Sequence, residues 1–154
     1  MLIAHISIPA DDCRQTARIL AEIMQGRAYR FPPGGPEAYM AWSKNAEIEI
    51  EVTPRGAFMV AGQDEVEWES GPARRSAECH AAICIDRPVT EIMEIAERAG
   101  WRARICDRGG FFHVVEVWVE NAFLIEFLDP AFTAEYRNAM TFQNWERVFG
   151  VAAA

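Results

Sequence analysis

Alternating apolar and polar residues predict that this 154-residue chain begins with a strand followed by a helix. Residues 2–8 alternate and end at Pro9, which closes the strand. Asp11 or Asp12 can then cap a helix in which apolar residues recur at intervals of three and four. Gly26 stands where a left-handed residue commonly ends a helix. The apolar helical positions are Cys13, Ala17, Leu20, Ile23 and Met24.

Three further strands are predicted after this helix. A short strand at 27–31 precedes a loop of prolines and glycines, and strands at 38–43 and 46–53 join through a turn at Lys44-Asn45. In the last strand, apolar and acidic side chains occupy opposite faces. The apolar residues are Ile48, Ile50 and Val52, and the acidic residues are Glu47, Glu49 and Glu51. Residues 1–55 are therefore predicted to form one β-α-β-β-β module.

The second half repeats this order of elements. A strand at 80–85 is followed by a helix that Gly100 ends, and then by a strand at 101–106. Strands at 112–119 and 122–128 are predicted to form a hairpin around a two-residue turn. Residues 77–130 thus form a second module, and we expect a single domain over 1–130.

Two segments lie outside the modules. Residues 56–76 form a connector, with a possible strand at 57–60. Residues 131–154 are predicted to be a helical extension, in one or two pieces. Its apolar residues suit packing on the domain or on a second subunit. They are Tyr136, Met140, Trp145, Val148 and Phe149.

Glu126 is the first candidate for a functional role, because it interrupts an apolar strand and a buried carboxylate needs a cation, a proton or several donors. The pair Ile125-Glu126 repeats Ile50-Glu51 at a separation of 75 positions, and His80 follows His5 at the same separation. Two equivalent histidine–glutamate pairs are therefore predicted. Glu49 is an alternative to Glu51, since both lie on one face of the strand.

Three other residues are candidates for a substrate pocket. Met40 and Trp42 share a predicted face with Glu51. If the second hairpin has a two-residue turn, Val115 lies opposite Glu126, and His113 shares the face of Glu126 one diagonal step away. A bulge in this hairpin would reverse that assignment.

Composition excludes some classes of function. The formal net charge of −8 argues against a nucleic-acid partner, because such proteins need a basic face. No apolar run is long enough for a membrane span, which requires about 20 residues. The four cysteines form no CxxC pair and no secretory segment precedes the first strand, so we expect a cytoplasmic protein with reduced thiols.

The paired modules, with His5 and His80 opening them and Ile-Glu at 50–51 and 125–126 closing them, resemble the vicinal oxygen chelate superfamily. This superfamily includes glyoxalases, bleomycin-resistance proteins and extradiol dioxygenases. The resemblance covers nearly all of the domain. It implies an α+β fold, in which paired βαβββ modules form an open eight-stranded half-barrel, here with an added C-terminal helix.

The resemblance also implies a divalent metal, Zn, Ni, Mn or Fe, bound by His5, Glu51, His80 and Glu126, and it implies a homodimer. Two imidazoles and two carboxylates would neutralise the ion and leave positions for substrate oxygens. Glu126 is the expected general base.

Three functions are compatible with this interpretation. The first is a metal-dependent glyoxalase-like lyase or isomerase acting on a small oxygen-chelating substrate. The alternatives are an extradiol-type ring-cleaving dioxygenase with ferrous iron, and a non-catalytic protein that sequesters a drug or metabolite. A glutathione adduct would require cationic pocket residues, for which the candidates are Arg27, Arg30, Arg102 and Arg104.

Overall fold

The first half of the chain forms the predicted β-α-β-β-β module. The structure, a computed structural model, describes residues 3–63, 66–77 and 79–150. A short 3₁₀ helix, Pro32–Gly34, lies in the proline-rich loop. The elements are β1 (His5–Ala10), α1 (Cys13–Ile23), β2 (Arg27–Arg30), β3 (Tyr39–Trp42) and β4 (Glu49–Pro54).

The second half forms an equivalent module, and a helical extension follows it. The module consists of β7 (Ala81–Cys84), α2 (Val89–Arg98), β8 (Arg102–Asp107), β9 (His113–Val119) and β10 (Phe123–Leu128). The extension consists of α3 (Pro130–Ala139) and α4 (Phe142–Phe149). The predicted α+β class is confirmed, and the helical extension, predicted in one or two pieces, consists of two. Positions 151–154 of the predicted extension lie outside the described residues. None of the described helices combines the length and hydropathy of a membrane span.

The connector forms a separate two-stranded sheet. β5 (Ala57–Ala61) pairs antiparallel with β6 (Val66–Ser70), and every residue of β6 is exposed. The connector therefore contains a hairpin, of which the predicted strand at 57–60 is the first half. The acidic positions 64 and 65 between these strands lie outside the described residues.

The eight module strands form two four-stranded sheets with equivalent topology. Their strand orders are β1-β4-β3-β2 and β7-β10-β9-β8, so the first and last strand of each module are parallel neighbours. Helices α1 and α2 cover one face of their sheets and contact each other. A single hydrophobic core contains residues of both modules. The other face of each sheet carries the candidate functional residues.

The turn between β9 and β10 differs from the predicted one. Phe123 pairs with Val119, so the turn contains three residues, and two of them, Glu120 and Asn121, have φ values of 49° and 57°. The register is therefore displaced by one residue, and Glu116 lies opposite Glu126. The predicted pairing of Glu126 with Val115 was wrong, because the added turn residue exchanges the two faces of β9.

The end of α1 also differs from the prediction. Gln25, with a φ of 56°, is the left-handed residue that was expected at Gly26. Gly26 is needed for another reason, since a Cβ atom built there would lie 1.8 Å from the carbonyl oxygen of Trp42. The glycine thus allows the end of α1 to contact the backbone after β3.

Replacing Gly26 with alanine is expected to reduce the free energy of unfolding by about 3 kcal/mol, because the backbone of Trp42 must move to accommodate the new methyl group. Urea denaturation measures this change. Gly100→Ala is the control, since Gly100 has a φ of 72° but no heavy atom within 4 Å of the added Cβ. It should cost about 1 kcal/mol. An equal loss in both variants would contradict the role of close contact at Gly26.

A buried ion cluster joins the two modules. Glu120, in the turn between β9 and β10, accepts hydrogen bonds from the backbone N–H groups of Asp11 and Asp12 at 2.6 and 2.8 Å. It also accepts hydrogen bonds from the Thr16 hydroxyl at 3.1 Å and Arg55 Nη2 at 2.9 Å. Burial would raise the pKa of Glu120, but these hydrogen bonds outweigh it and lower the pKa. One carboxylate thereby holds the beginning of α1 against the second module.

Candidate functional site

His5 and Glu51 form a pair on the face of the first sheet opposite to α1. Ile50 and Val52 are fully buried beneath the helix, so the alternating side chains of Glu49 and Glu51 lie on the other face. His5 Nε2 lies 3.9 Å from Glu51 Oε1. The histidine thus approaches Glu51, although its backbone is aligned with Glu49 in the ladder.

A serine holds the other oxygen of Glu51. The hydroxyl of Ser7, which is aligned with Glu51 in the ladder, donates a hydrogen bond to Oε2 at 2.5 Å. The side chain of Glu51 is only 14% exposed, whereas that of His5 is 53% exposed. One carboxylate oxygen is therefore fixed by Ser7, and the other faces an accessible imidazole.

The second module contains the equivalent pair. His80 immediately precedes β7, and its Nε2 lies 3.8 Å from Glu126 Oε2. Glu126 is buried, as the sequence predicted, while the side chain of His80 is 55% exposed. Here the second oxygen, Oε1, accepts a hydrogen bond from Arg108 Nη2. A guanidinium in the second module thus takes the place that a neutral hydroxyl has in the first.

Glu116 is a member of this site that the sequence interpretation did not include. It lies beside Glu126 in the ladder and is only 4% exposed. Arg108 and Arg104 donate hydrogen bonds to it at 2.8 and 2.7 Å, and Trp118 donates a longer one at 3.3 Å. Burial would raise its pKa, but these hydrogen bonds lower it to about 2. Its isolated position among valines was the available signal, the same one that identified Glu126.

Both histidine–glutamate pairs fit the dimensions of a metal site. Ligand atoms bound at about 2.1 Å to one ion lie at most about 4.2 Å apart. The separations of 3.9 Å in His5–Glu51 and 3.8 Å in His80–Glu126 satisfy this limit. Imidazole nitrogen and carboxylate oxygen are also suitable donors for Zn, Ni, Mn and Fe. Each pair could therefore supply two ligands to a divalent ion.

The four predicted ligands do not form one cluster in the described part of a single chain. In residues 3–63, 66–77 and 79–150, no group of three or more histidine, cysteine or acidic side chains is arranged to hold a metal. The sequence interpretation expected all four residues around one ion. The structure instead presents two separate His–Glu pairs, one in each module.

The predicted pocket residues have different positions. Met40 and Trp42 lie opposite Glu51 and Glu49 in the ladder and share their face, as predicted. His113 lies on the opposite face from Glu126, so this part of the prediction was wrong because of the three-residue turn.

His113 instead connects the second module to the C-terminal extension. Its Nδ1 lies 2.9 Å from Glu135 Oε2, and its ring stacks on Phe132 with a centroid separation of 5.4 Å. The hydrogen bond with Glu135 raises the pKa of His113. This histidine therefore holds α3 in place.

Comparisons with known proteins bear on the fold. The chain matches no protein-family model and no curated protein. Its structure is similar to the crystal structure of the fosfomycin resistance protein FosX from Mesorhizobium loti, with a TM-score of 0.55, 14% identity, and coverage of 86% of this chain and 94% of that one. FosX from Listeria monocytogenes gives a TM-score of 0.57, 15% identity, and coverage of 88% and 96%.

A further structure of the Listeria monocytogenes protein, complexed with Mn(II) and sulfate, has a TM-score of 0.57 and 14% identity. It covers 88% of this chain and 95% of its own. These similarities confirm the sequence resemblance at the level of architecture. The chain therefore has the vicinal oxygen chelate fold, built from two βαβββ modules.

Proposed function

We propose that the protein is a metal-dependent, glyoxalase-like lyase or isomerase that acts on a small oxygen-chelating substrate. The main observation in its support is the presence of two equivalent His–Glu pairs, His5–Glu51 and His80–Glu126, here called half-sites. In each half-site, the donor atoms are close enough together to bind one divalent ion. The Mn(II) complex of FosX, a protein of the same fold, supports this proposal.

Two copies of the chain would complete the site. A divalent metal that retains open positions for substrate commonly has three or more protein ligands, and each half-site supplies two. In a homodimer with two-fold symmetry, the first half-site of one copy can meet the second half-site of the other, and symmetry makes two identical sites. The exposure of His5 and His80, 53% and 55%, leaves both imidazoles accessible for this contact.

The surrounding residues would fix the carboxylates for this chemistry. A bound divalent metal would act as a Lewis acid towards substrate oxygens. Ser7 and Arg108 each hold one oxygen of a glutamate and leave the other directed at a histidine. We propose Glu126 as the general base when it is displaced from the metal, with Oε2, the oxygen that Arg108 leaves free, as the atom that then takes up the proton.

A complementation experiment tests the shared site. We expect His5→Ala and His80→Ala each to weaken metal binding strongly, because every site in either homodimer lacks one imidazole. After the two variants are mixed, unfolded and refolded together, half of the dimers should contain one complete site. Calorimetric titration with MnCl₂ should then show tight binding at about one quarter of the wild-type stoichiometry.

The outcomes separate the possibilities. Tight binding by either variant alone would exclude its histidine as a ligand. If the wild type binds Mn²⁺ tightly but the mixture does not, the site belongs to a single copy. The same titration with Fe²⁺ under anaerobic conditions examines the dioxygenase alternative, which needs ferrous iron held by the same residue types.

A second candidate function is metal-free sequestration of a small molecule. The ion pair between Arg108 and Glu126 favours it, because a guanidinium already neutralises one of the carboxylates that a metal would need. No binding of any tested divalent metal by the wild type would support this function over the enzymatic one.

A further inference from the structure

An apolar pocket of about 350 Å³ lies where the loop between β8 and β9 meets the C-terminal helices. This volume falls within the range of about 300–1,000 Å³ that is typical of small-molecule sites. The loop contributes Phe111, and α4 contributes Trp145, Val148 and Phe149. The C-terminal extension thus provides a wall of the pocket.

The apolar side chains around this pocket remain accessible. Phe111 is 48% exposed, Trp145 49% and Phe149 58%. A soluble protein rarely leaves several large apolar side chains exposed together unless they bind something. The concentration of such residues around one cavity therefore indicates a binding site rather than a part of the core.

The polar groups of the pocket define which ligand it fits. Asn144 already donates hydrogen bonds to the carbonyl oxygens of Asn138 and Ala139, and it accepts one from Arg147. Among the described residues that line the pocket, Arg108 is the only charged one, and its Nη2 is engaged by Glu116 and Glu126. Within the described residues, the exposed lining of this pocket is otherwise almost entirely apolar, so the lining itself contacts an apolar group of a ligand.

The charges around Arg108 are balanced. Arg104 and Arg108 face two carboxylates, Glu116 and Glu126, so this cluster has no net charge that would attract a further anion. An uncharged ligand leaves this balance undisturbed. A charged group beside an apolar wall would instead lose its hydration.

We propose that this pocket binds the apolar body, aryl or branched alkyl, of an uncharged ligand. As a statement about the substrate, it rests on the proposed function, but the pocket itself requires no metal. An uncharged, apolar ligand differs from a glutathione adduct, which would need several free cationic residues in the pocket.

Binding measured on metal-free protein tests this proposal independently of the metal site. The probes are benzyl alcohol, 2-phenylethanol and 3-phenylpropanol, with phenylacetate and 3-phenylpropionate as charged counterparts. We expect affinity, measured by calorimetry or ligand-observed NMR, to rise about fourfold with each added methylene group. The carboxylates should bind no more tightly than the alcohols of the same length.

Substitutions in α4 test whether the probes bind in this pocket. Trp145→Ala should weaken the binding of 3-phenylpropanol at least about tenfold, because Trp145 has the largest side chain among the described residues that line the pocket. Trp145→Phe keeps an aromatic surface and should remain within about threefold of the wild type, which separates lost contact from lost folding. Phe142→Ala is the matched control, since Phe142 lies on the same helix, is 86% exposed and does not line this pocket.

Three results would overturn the proposal. They are affinity that does not depend on chain length, an equal loss in Phe142→Ala and Trp145→Ala, and tighter binding of the carboxylates. A fourth is binding that disappears on dilution of the protein, which would show that a second copy forms the pocket. Normal probe binding without any metal binding would refute only the proposed enzymatic function.

Discussion

Replacing Glu126 with glutamine is expected to weaken the binding of Mn²⁺ more than about 100-fold and to abolish turnover of any substrate that is identified. The amide keeps the shape of the side chain but cannot provide the anionic oxygen, Oε2, that faces His80 at 3.8 Å. The expected loss exceeds the 10- to 100-fold that removal of an outer hydrogen-bonding partner costs. Isothermal titration of both proteins with MnCl₂ measures it.

Glu116→Gln is the matched control for this experiment. Glu116 lies directly beside Glu126 and shares Arg108 with it, but no histidine approaches it within ion-pair distance in the described residues. We expect Glu116→Gln to weaken the binding of Mn²⁺ by about tenfold, because it changes only the position and pairing of Arg108, which Glu116 shares with Glu126. If Glu116→Gln had the larger effect, Glu126 would not be the ligand. Retained turnover in Glu126→Gln would exclude Glu126 as the base.

Replacing Glu120 with alanine is expected to reduce the free energy of unfolding by about 3 kcal/mol, because removal of one partner leaves a buried charge incompletely paired. The Arg55 side chain is only 4% exposed and would keep Asp11 as its remaining carboxylate partner. The N–H groups of Asp11 and Asp12 would also lose their acceptor. Urea denaturation at neutral pH measures the loss.

The contribution of Glu120 also has a defined pH dependence. Because the pKa of Glu120 is lower in the folded protein than in the unfolded chain, its stabilisation is complete above the unfolded value of about 4.3. It is lost as the pH falls through the folded value. The stabilities of wild type and Glu120→Ala should therefore converge in acid. Parallel curves down to the lowest pH would contradict this explanation.

Glu22→Ala provides the comparison for Glu120→Ala. Glu22 also pairs with an arginine of the other module, Arg98, but both side chains are at least half exposed. An exposed ion pair contributes about 0.5 kcal/mol or less. Comparing the two variants tests whether burial of the ion pair, rather than its connection of the two modules, determines how much it contributes to the free energy of unfolding.

The architecture could be predicted from the sequence because its pattern is duplicated. A separation of 75 positions relates both histidines and both glutamates. The structure places the glutamates on the equivalent strands β4 and β10, with His5 opening β1 and His80 immediately before β7. Local alternation also gave the correct face for Met40 and Trp42. In that hairpin the loop between β3 and β4 is longer than the predicted turn by an even number of residues, so the faces did not change.

The rest of the site could not be predicted because it depends on long-range contacts. Arg108 follows β8 in a glycine-containing loop, and nothing in its local sequence indicates that its guanidinium reaches two strands. The separation of the four predicted ligands into two His–Glu pairs depends on how the two sheets are arranged. Spacing along the chain does not determine that arrangement.

The three-residue turn at Glu120 has a consequence for how such a protein can change during evolution. A substitution in this turn, such as that of Glu120, changes the stability but keeps the pairing of β9 with β10, whereas a change in the number of turn residues does not. Deletion or insertion of one turn residue would exchange the two faces of β9. Glu116 would then point into the hydrophobic core, and the valines beside it would lie on the opposite face. Insertions and deletions should therefore accumulate in other loops of this chain, such as the exposed hairpin of β5 and β6, and spare this one.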